Sequence, residues 1–235
     1  MNRIAFLCFS LLILCLPAHA APAPVRTCRI LFLGAASDSP KSLLLFDGSA
    51  SQEVELPRMN LSPIYQVPGG AIVLRLLEKE PANPEEIPAG TPRVTVGDGV
   101  GDIYLLVSHD PKNKVIPVSM QVINADQKTF RKGQSLWFNL TANRIGGKLG
   151  SEKIVLEPNS RTISKAPVED AVNYPVELYY QIAGDNRLWP LCETQWQHNP
   201  AGRTVVFVVT EAGNRVPRIM GFPDFRAEEE KEKRM

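Results

Sequence analysis

Histidine, cysteine and long helical periods are what this chain has least of, and each scarcity excludes something. The sequence of 235 residues holds 3 histidines and 4 cysteines. No pair of them stands at the close spacing that a zinc site uses. A Gly-x-Ser-x-Gly elbow is missing, and with it the usual sequence mark of a serine hydrolase. No segment carries a long amphipathic period with caps, and residues 161 to 172 have room for one helical turn at most. Charge of one sign is also missing. The 26 basic residues stand against 25 acidic ones, whereas nucleic-acid binding asks for a basic excess and a grip on anionic lipid asks for a polybasic run.

Turn residues, by contrast, are plentiful. Twenty prolines and sixteen glycines favour many short elements over long helices. With 44% hydrophobic and 22% charged residues the composition is globular. The length fits one large domain or two of about 100 residues each.

The amino terminus reads as a cleaved signal peptide, residues 1–20. Arg3 supplies the positive start, Ile4 to Pro17 the apolar stretch, and Ala18-His19-Ala20 the small residues that a signal peptidase reads. The apolar stretch is too short for a transmembrane span, so no stable membrane segment is expected after cleavage. A lipid anchor on Cys15 is the weaker alternative, because the bulky Leu14 precedes it. The expected destination is the periplasm or the extracellular space. Removing residues 1–20 takes away one base, Arg3, and no acid, so 26 and 25 become 25 and 25. It also leaves two cysteines, Cys28 and Cys192. An oxidising compartment permits a bridge between them, which would tie the two halves together; two unpaired thiols are the other reading.

Short β-rich runs fill the rest. Cys28 to Leu33, Leu43 to Phe46, Glu53 to Leu56, Ala71 to Leu77, Asp102 to Val107 and Val115 to Ile123 are separated by turn signals such as Asp47-Gly48 and Pro68-Gly69-Gly70. Glu78 to Arg93 is acidic, proline-rich and aperiodic, and reads as an exposed loop. The same grammar then recurs. Leu136 to Thr141 matches the run around Ile30 to Leu33, and Lys153 to Pro158 matches Glu53 to Pro57. Tyr174 to Tyr180 matches Gly70 to Leu76, Arg203 to Val209 matches Asp102 to Val107, and Asn214 to Pro217 echoes Asn113 to Pro117. The offsets cluster at about 100 residues, the size of one sandwich. The expected architecture is therefore all-β, two tandem immunoglobulin-like β-sandwich domains, the first over 21–124 and the second over 134–225. The charged tail 226–235 has no apolar face and is expected to be a solvated end.

Candidate chemistry is thin. A copper site of the exported sandwich type would have to use His109, His198, Cys192 and Met220, whose spacing suits no ligand loop. Glu85-Glu86 and Glu169-Asp170 fall in polar loops, where solvated charge is the default. Gly97 to Asp102 resembles a calcium loop only in its glycines and acids. Asn60-Leu61-Ser62 and Asn139-Leu140-Thr141 fit the glycosylation pattern, although Asn139 falls inside a predicted strand. The best binding signal is aromatic. Trp189, Trp196, Tyr179 and Tyr180 gather around 188–198, a stretch poor in strand pattern that reads as a loop. Exposed rings there would stack on sugars or anchor a partner; buried rings would fill a core.

Leu136-Trp137-Phe138-Asn139-Leu140-Thr141, then Ile145 to Gly150 as a glycine-rich turn and Ile154 to Pro158 as a strand, resembles a pattern in exported bacterial β-sandwich proteins of unassigned activity. The resemblance implies an immunoglobulin-like sandwich and no functional residue. The functional expectation is an exported, non-enzymatic protein that binds a protein or glycan of the cell envelope, with no cofactor and no nucleic acid. The alternatives are an exported hydrolase using a carboxylate pair on saccharide or peptide, and a metal or electron carrier.

Overall fold

A computed structural model describes residues 25–211 and 213–225. The signal peptide expected over 1–20 and the charged tail 226–235 lie outside the described residues. The chain is all-β. Its strands are β1 Val25–Leu33, β2 Ser42–Phe46, β3 Ser51–Glu55, β4 Tyr65–Pro68, β5 Ile72–Leu77, β6 Arg93–Val96, β7 Asp102–His109, β8 Val118–Asn124, β9 Ser135–Asn139, β10 Arg144–Leu149, β11 Glu152–Leu156, β12 Ser160–Ser164, β13 Asn173–Gln181, β14 Trp189–Gln197, β15 Arg203–Val209 and β16 Arg218–Asp224. One 3-10 turn, Pro84–Glu86, is capped by the Asn83 side chain and interrupts the acidic loop between β5 and β6.

These strands form four sheets of four, ordered β4-β1-β7-β8, β3-β2-β5-β6, β12-β9-β15-β16 and β11-β10-β13-β14. The third and fourth repeat the strand order of the first and second. In both halves the opening strand runs parallel to the seventh, β1 to β7 and β9 to β15, and the other pairings are antiparallel.

Three cores lie between the four layers. Cys28, Ile30, Phe32, Leu74, Leu76, Ile103, Leu105 and Val107 fill the first sandwich. Trp137, Ile145, Ile154, Val176, Leu178, Val206 and Val208 fill the second. Between the sandwiches, Leu31, Leu33, Tyr104, Leu106, Leu136, Phe138, Val205, Phe207 and Phe222 form a third, middle core. Alternate residues of β1, β7, β9 and β15 thus enter two different cores, since successive side chains leave opposite faces of a strand. This is why those strands read as unbroken apolar runs. Cys28 to Leu33 are all buried, as are Asp102 to Val107.

The pleat also corrects the register of the sequence repeat. Matching Leu136 to Ile30 puts a residue of the middle core against one of the first core. Ile30 pairs with Leu105, and Trp137 pairs with Val206. Trp137 is therefore the counterpart of Ile30, because a slip of one residue exchanges the two faces.

The middle core has a charged end. Arg203 gives hydrogen bonds to the carbonyls of Ala125 and Phe130 and to the carboxylates of Asp102 at 3.0 Å and Asp224 at 2.8 Å. Arg29 reaches Asp224 at 2.8 Å and the Ser62 carbonyl at 2.7 Å, and the Tyr104 hydroxyl donates to Asp224. Arg203 also stacks on Phe130, 4.9 Å from its centroid. Two arginines, two aspartates and a tyrosine from both sandwiches neutralise one another, and the segment between β8 and β9 is held by its own carbonyls. Such a cluster adds little over an apolar core but is costly to break.

Candidate functional site

Since the two sandwiches share a strand order, differences between corresponding places are informative. The outer sheet of the second sandwich is β11-β10-β13-β14. Ile145, Gly147 and Leu149 of β10 lie on its core side. Arg144, Gly146 and Lys148 lie on its solvent side. Gly146 is paired on one flank with Val155 of β11 and on the other with Tyr179 of β13. A glycine in a strand interior commonly marks a close approach by backbone or ligand. Here both uses occur side by side. A Cβ on Gly147 would stand 1.9 Å from the Glu177 carbonyl oxygen, so only glycine fits there. A Cβ on Gly146 would meet nothing closer than 3.7 Å, so the space above it is open.

That space is a hollow of about 300 Å³. Gly146 is its floor, and Tyr179 (37% exposed) and Val155 (49%) are apolar walls, with Leu188 (64%) beyond. Arg144, Lys148, Lys153, Glu177 and Gln181 form its polar rim. Lys148 and Lys153 are directly opposite in the β10–β11 ladder. Arg144 is held by Glu157 at 2.9 Å. Lys148 neighbours Glu177 across β13. In the first sandwich, aligned on the core residues Val54 and Ile154, the pair Gly146–Val155 corresponds to Ser42–Glu55 and Lys148–Lys153 to Leu44–Glu53. There the Ser42 hydroxyl bonds Glu53 at 2.9 Å.

A second opening lies along the edge of the same sandwich. In the first sandwich β6 and β8 approach closely and shut the gap between the sheets; β14 and β16 stand farther apart. The resulting groove holds about 670 Å³ and is lined by Tyr174, Cys192, Trp196, Val206, Ile219 and Gly221, among others. Val122 pairs with Leu105, and Gly221 pairs with Val206. Gly221 thus leaves unfilled the place that Val122 occupies in the first sandwich. Burial pushes the Tyr174 hydroxyl up to about 12 and raises the Cys192 thiol, so the groove presents a neutral phenol and a thiol that is not activated as a nucleophile.

The predicted aromatic site is divided among four places. Residues 188–198 are not a loop. Most of them form edge strand β14, whose alternation is broken by a bulge opposite Leu178/Tyr179 and whose residues are nowhere fully buried. Trp196 stacks on Trp137 at 5.9 Å, nearly parallel, with one side in the groove. Trp189 is covered by the Arg187 guanidinium at 4.8 Å, which is itself tied to Asp185. Arg187 holds the Asp185 carboxyl below the usual carboxylate range. Tyr180 is buried in the core. Tyr179 offers its ring to the hollow above Gly146, and it has no aromatic or cation contact among the described residues.

The remaining candidates are also separated. Cys28 lies inside the first core and Cys192 beside the edge groove of the second sandwich, so the structure places the two cysteines in different sandwiches and does not bring them together. His198 is buried against Tyr174 with Nε2 unpartnered, and burial lowers its basicity. His109 ends β7 in the first sandwich, and Met220 packs on the middle core. No group of three metal-ligating side chains forms among the described residues. Gly146-Gly147 lies in strand β10 rather than in a turn; the turn follows, at Gly150 with φ +61°. Asn139 is fully buried. Its amide donates to the carbonyls of Asn143, Leu156 and Glu157 and its oxygen accepts from Thr141, so this sequon is a polar brace.

Glu85 and Glu169-Asp170 are exposed. Glu78, Glu80 and Glu86 surround a hollow of about 440 Å³ beneath the β5–β6 loop, and all three are solvated. No described helix is long and apolar enough to cross a membrane. No protein-family model matches this chain, and no curated protein matches it.

Proposed function

We propose that this protein is an exported, non-enzymatic binding protein that holds a component of the cell envelope on its second sandwich. The hollow above Gly146 carries this reading. It places an unclaimed aromatic ring, an apolar wall and a polar rim on one rigid sheet, the combination that small-ligand sites use. The edge groove on the same sandwich adds a second apolar surface. The buried carboxylates, Asp102 and Asp224, are already bound by arginine. The Cys192 thiol is raised. Both features favour binding over acid–base or thiol chemistry.

The test is retention of the purified protein on isolated envelope fractions, followed by elution. Saturable retention that falls at least tenfold with Tyr179→Ala supports the proposal. Absence of retention on every fraction overturns it. The hydrolase alternative rests on the Glu78, Glu80 and Glu86 hollow. It requires release of reducing ends or new amino termini from the same fractions, abolished by Glu86→Gln.

A further inference from the structure

We infer that the hollow above Gly146 receives a ring of an acidic saccharide, a hexuronate-type unit within a polysaccharide. The inference rests on the binding reading above and names the ligand class of that site.

Shape supplies the first part. A pyranose is a disc with one relatively apolar C–H face and a rim of hydroxyls. The hollow has a side-chain-free floor at Gly146, with Tyr179 and Val155 facing each other across it. At about 300 Å³ it falls at the small end of ligand sites, which run from about 300 to 1,000 Å³. The Tyr179 ring takes the C–H face, as amphipathic rings do at recognition surfaces. The Glu177 carboxylate and the Gln181 side chain, whose amide nitrogen donates to the Asp185 carbonyl at 2.9 Å, line the rim where the hydroxyls would lie.

Charge supplies the second part. Three cations, Arg144, Lys148 and Lys153, line the hollow against one carboxylate, Glu177. Arg144 is occupied by Glu157. Lys148 and Lys153 are direct cross-strand partners, an arrangement that destabilises a sheet. Neither makes an ion pair among the described residues. A carboxylate on the sugar, lying between the two ammonium groups, relieves that repulsion. A neutral sugar leaves it in place, and an acidic peptide has no disc to fill the space between Tyr179 and Val155. The first sandwich shows the ladder without these features. Its corresponding pairs, Ser42–Glu55 and Leu44–Glu53, carry acids instead of lysines and no glycine floor.

The experiment is calorimetric titration of the purified protein at low salt. The probes are oligogalacturonate, oligomannuronate and hyaluronate oligomers, with fully methyl-esterified oligogalacturonate as the uncharged control. At least one acidic oligomer is expected to bind, with the ester at least tenfold weaker. Gly146→Val adds bulk at the floor of the hollow, its Cβ meeting nothing closer than 3.7 Å, and is expected to reduce affinity more than tenfold. The double variant Lys148→Gln/Lys153→Gln should do the same and raise Tm. Tyr179→Leu, which keeps an apolar wall, serves as the second route if either variant folds poorly. Ser42→Val on the first sandwich should change nothing.

Failure of all three acidic oligomers to bind overturns the inference. So does binding that is indifferent to Gly146→Val and to Tyr179→Leu, or an ester that binds equally well. If the protein is retained on envelope fractions yet ignores all three oligomers, the ligand class is wrong and the binding reading stands. If it does neither, both fall.

Discussion

On the first sandwich Ser42 faces Glu55, Leu44 faces Glu53, and Val122 helps to close the edge beside β6. On the second the same places hold Gly146 with Val155, Lys148 with Lys153, and Gly221. The strand order is unchanged. At these corresponding places one copy of the scaffold carries side chains, and the other has a glycine at each of two places where a Cβ would meet no close neighbour. Each glycine gives up burial, and the facing lysines place like charges opposite each other across β10 and β11, with Glu177 beside Lys148 on the other flank only. Local losses of this kind concentrate at functional positions. This difference between the copies is why the proposed binding role falls on the second sandwich.

The largest effect is expected where the two copies meet. Asp224→Ala removes the carboxylate that receives Arg29, Arg203 and Tyr104. It leaves one carboxylate, Asp102, against two buried guanidinium groups, at a cost of about 3–5 kcal/mol. Because the middle core takes residues from both sandwiches, urea unfolding of this variant should shift as one transition seen equally by probes in either half. A biphasic curve in which only one half moves would mean that the sandwiches are independent.

Gly221→Val makes the second sandwich resemble the first. The nearest atom to the added Cβ is Thr204 Cγ2 at 3.8 Å, and Gly221 lines the groove that the new methyls would occupy. At about 0.8 kcal/mol per buried CH₂, the variant should be more stable by roughly 1 kcal/mol in chemical denaturation. A loss of stability would show that the edge gap is not simply an unfilled place.

Lys153→Glu sharpens the contrast on the outer face. It turns a like-charged cross-strand pair into an opposite one, worth about 0.2–1 kcal/mol, and puts back the acid that Glu53 supplies in the first sandwich. Stability should rise while retention on envelope fractions falls. Salt should diminish the stability gain, since both groups are exposed.

The smallest expected effect is a pH dependence that originates in the second sandwich. Burial among Tyr174, Gly133 and Ala166 lowers the folded-state value of His198 below its ordinary 6.5. The unfolded chain therefore takes up a proton first as pH falls. Stability should decline from pH 6.5 down to the lowered folded value and level off below it. His198→Phe should remove that part of the decline, measured as urea midpoints across the range.

The sequence pattern reveals strands in proportion to what they bury. β1, β7, β9 and β15 enter two cores each and stand out as apolar runs. β12 and β14 contain no fully buried residue, and the short β4 and β6 lie at sheet edges. Apolar periodicity cannot announce a strand that has little of it. β10 was hidden for another reason, because Gly146-Gly147 imitates a turn. At the site, Tyr179 was visible as an aromatic. Gly146, Lys148, Lys153 and Val155 were not, since their meaning depends on which residue faces which across a ladder. The Leu149–Glu152 turn could have supplied that register, because a hairpin turn determines the pairing of its flanks. The Arg29, Asp102, Tyr104, Arg203 and Asp224 cluster joins residues up to 195 positions apart; no local pattern marks it.

The most direct measurement compares matched variants on corresponding faces. Gly146→Val on the second sandwich and Ser42→Val on the first add apolar bulk at equivalent points of the same ladder. If the second sandwich holds the ligand, retention on envelope fractions falls at least tenfold with Gly146→Val and is unchanged with Ser42→Val, both proteins keeping the parent Tm within a few degrees. Equal retention by the two variants, or loss with Ser42→Val alone, contradicts the account.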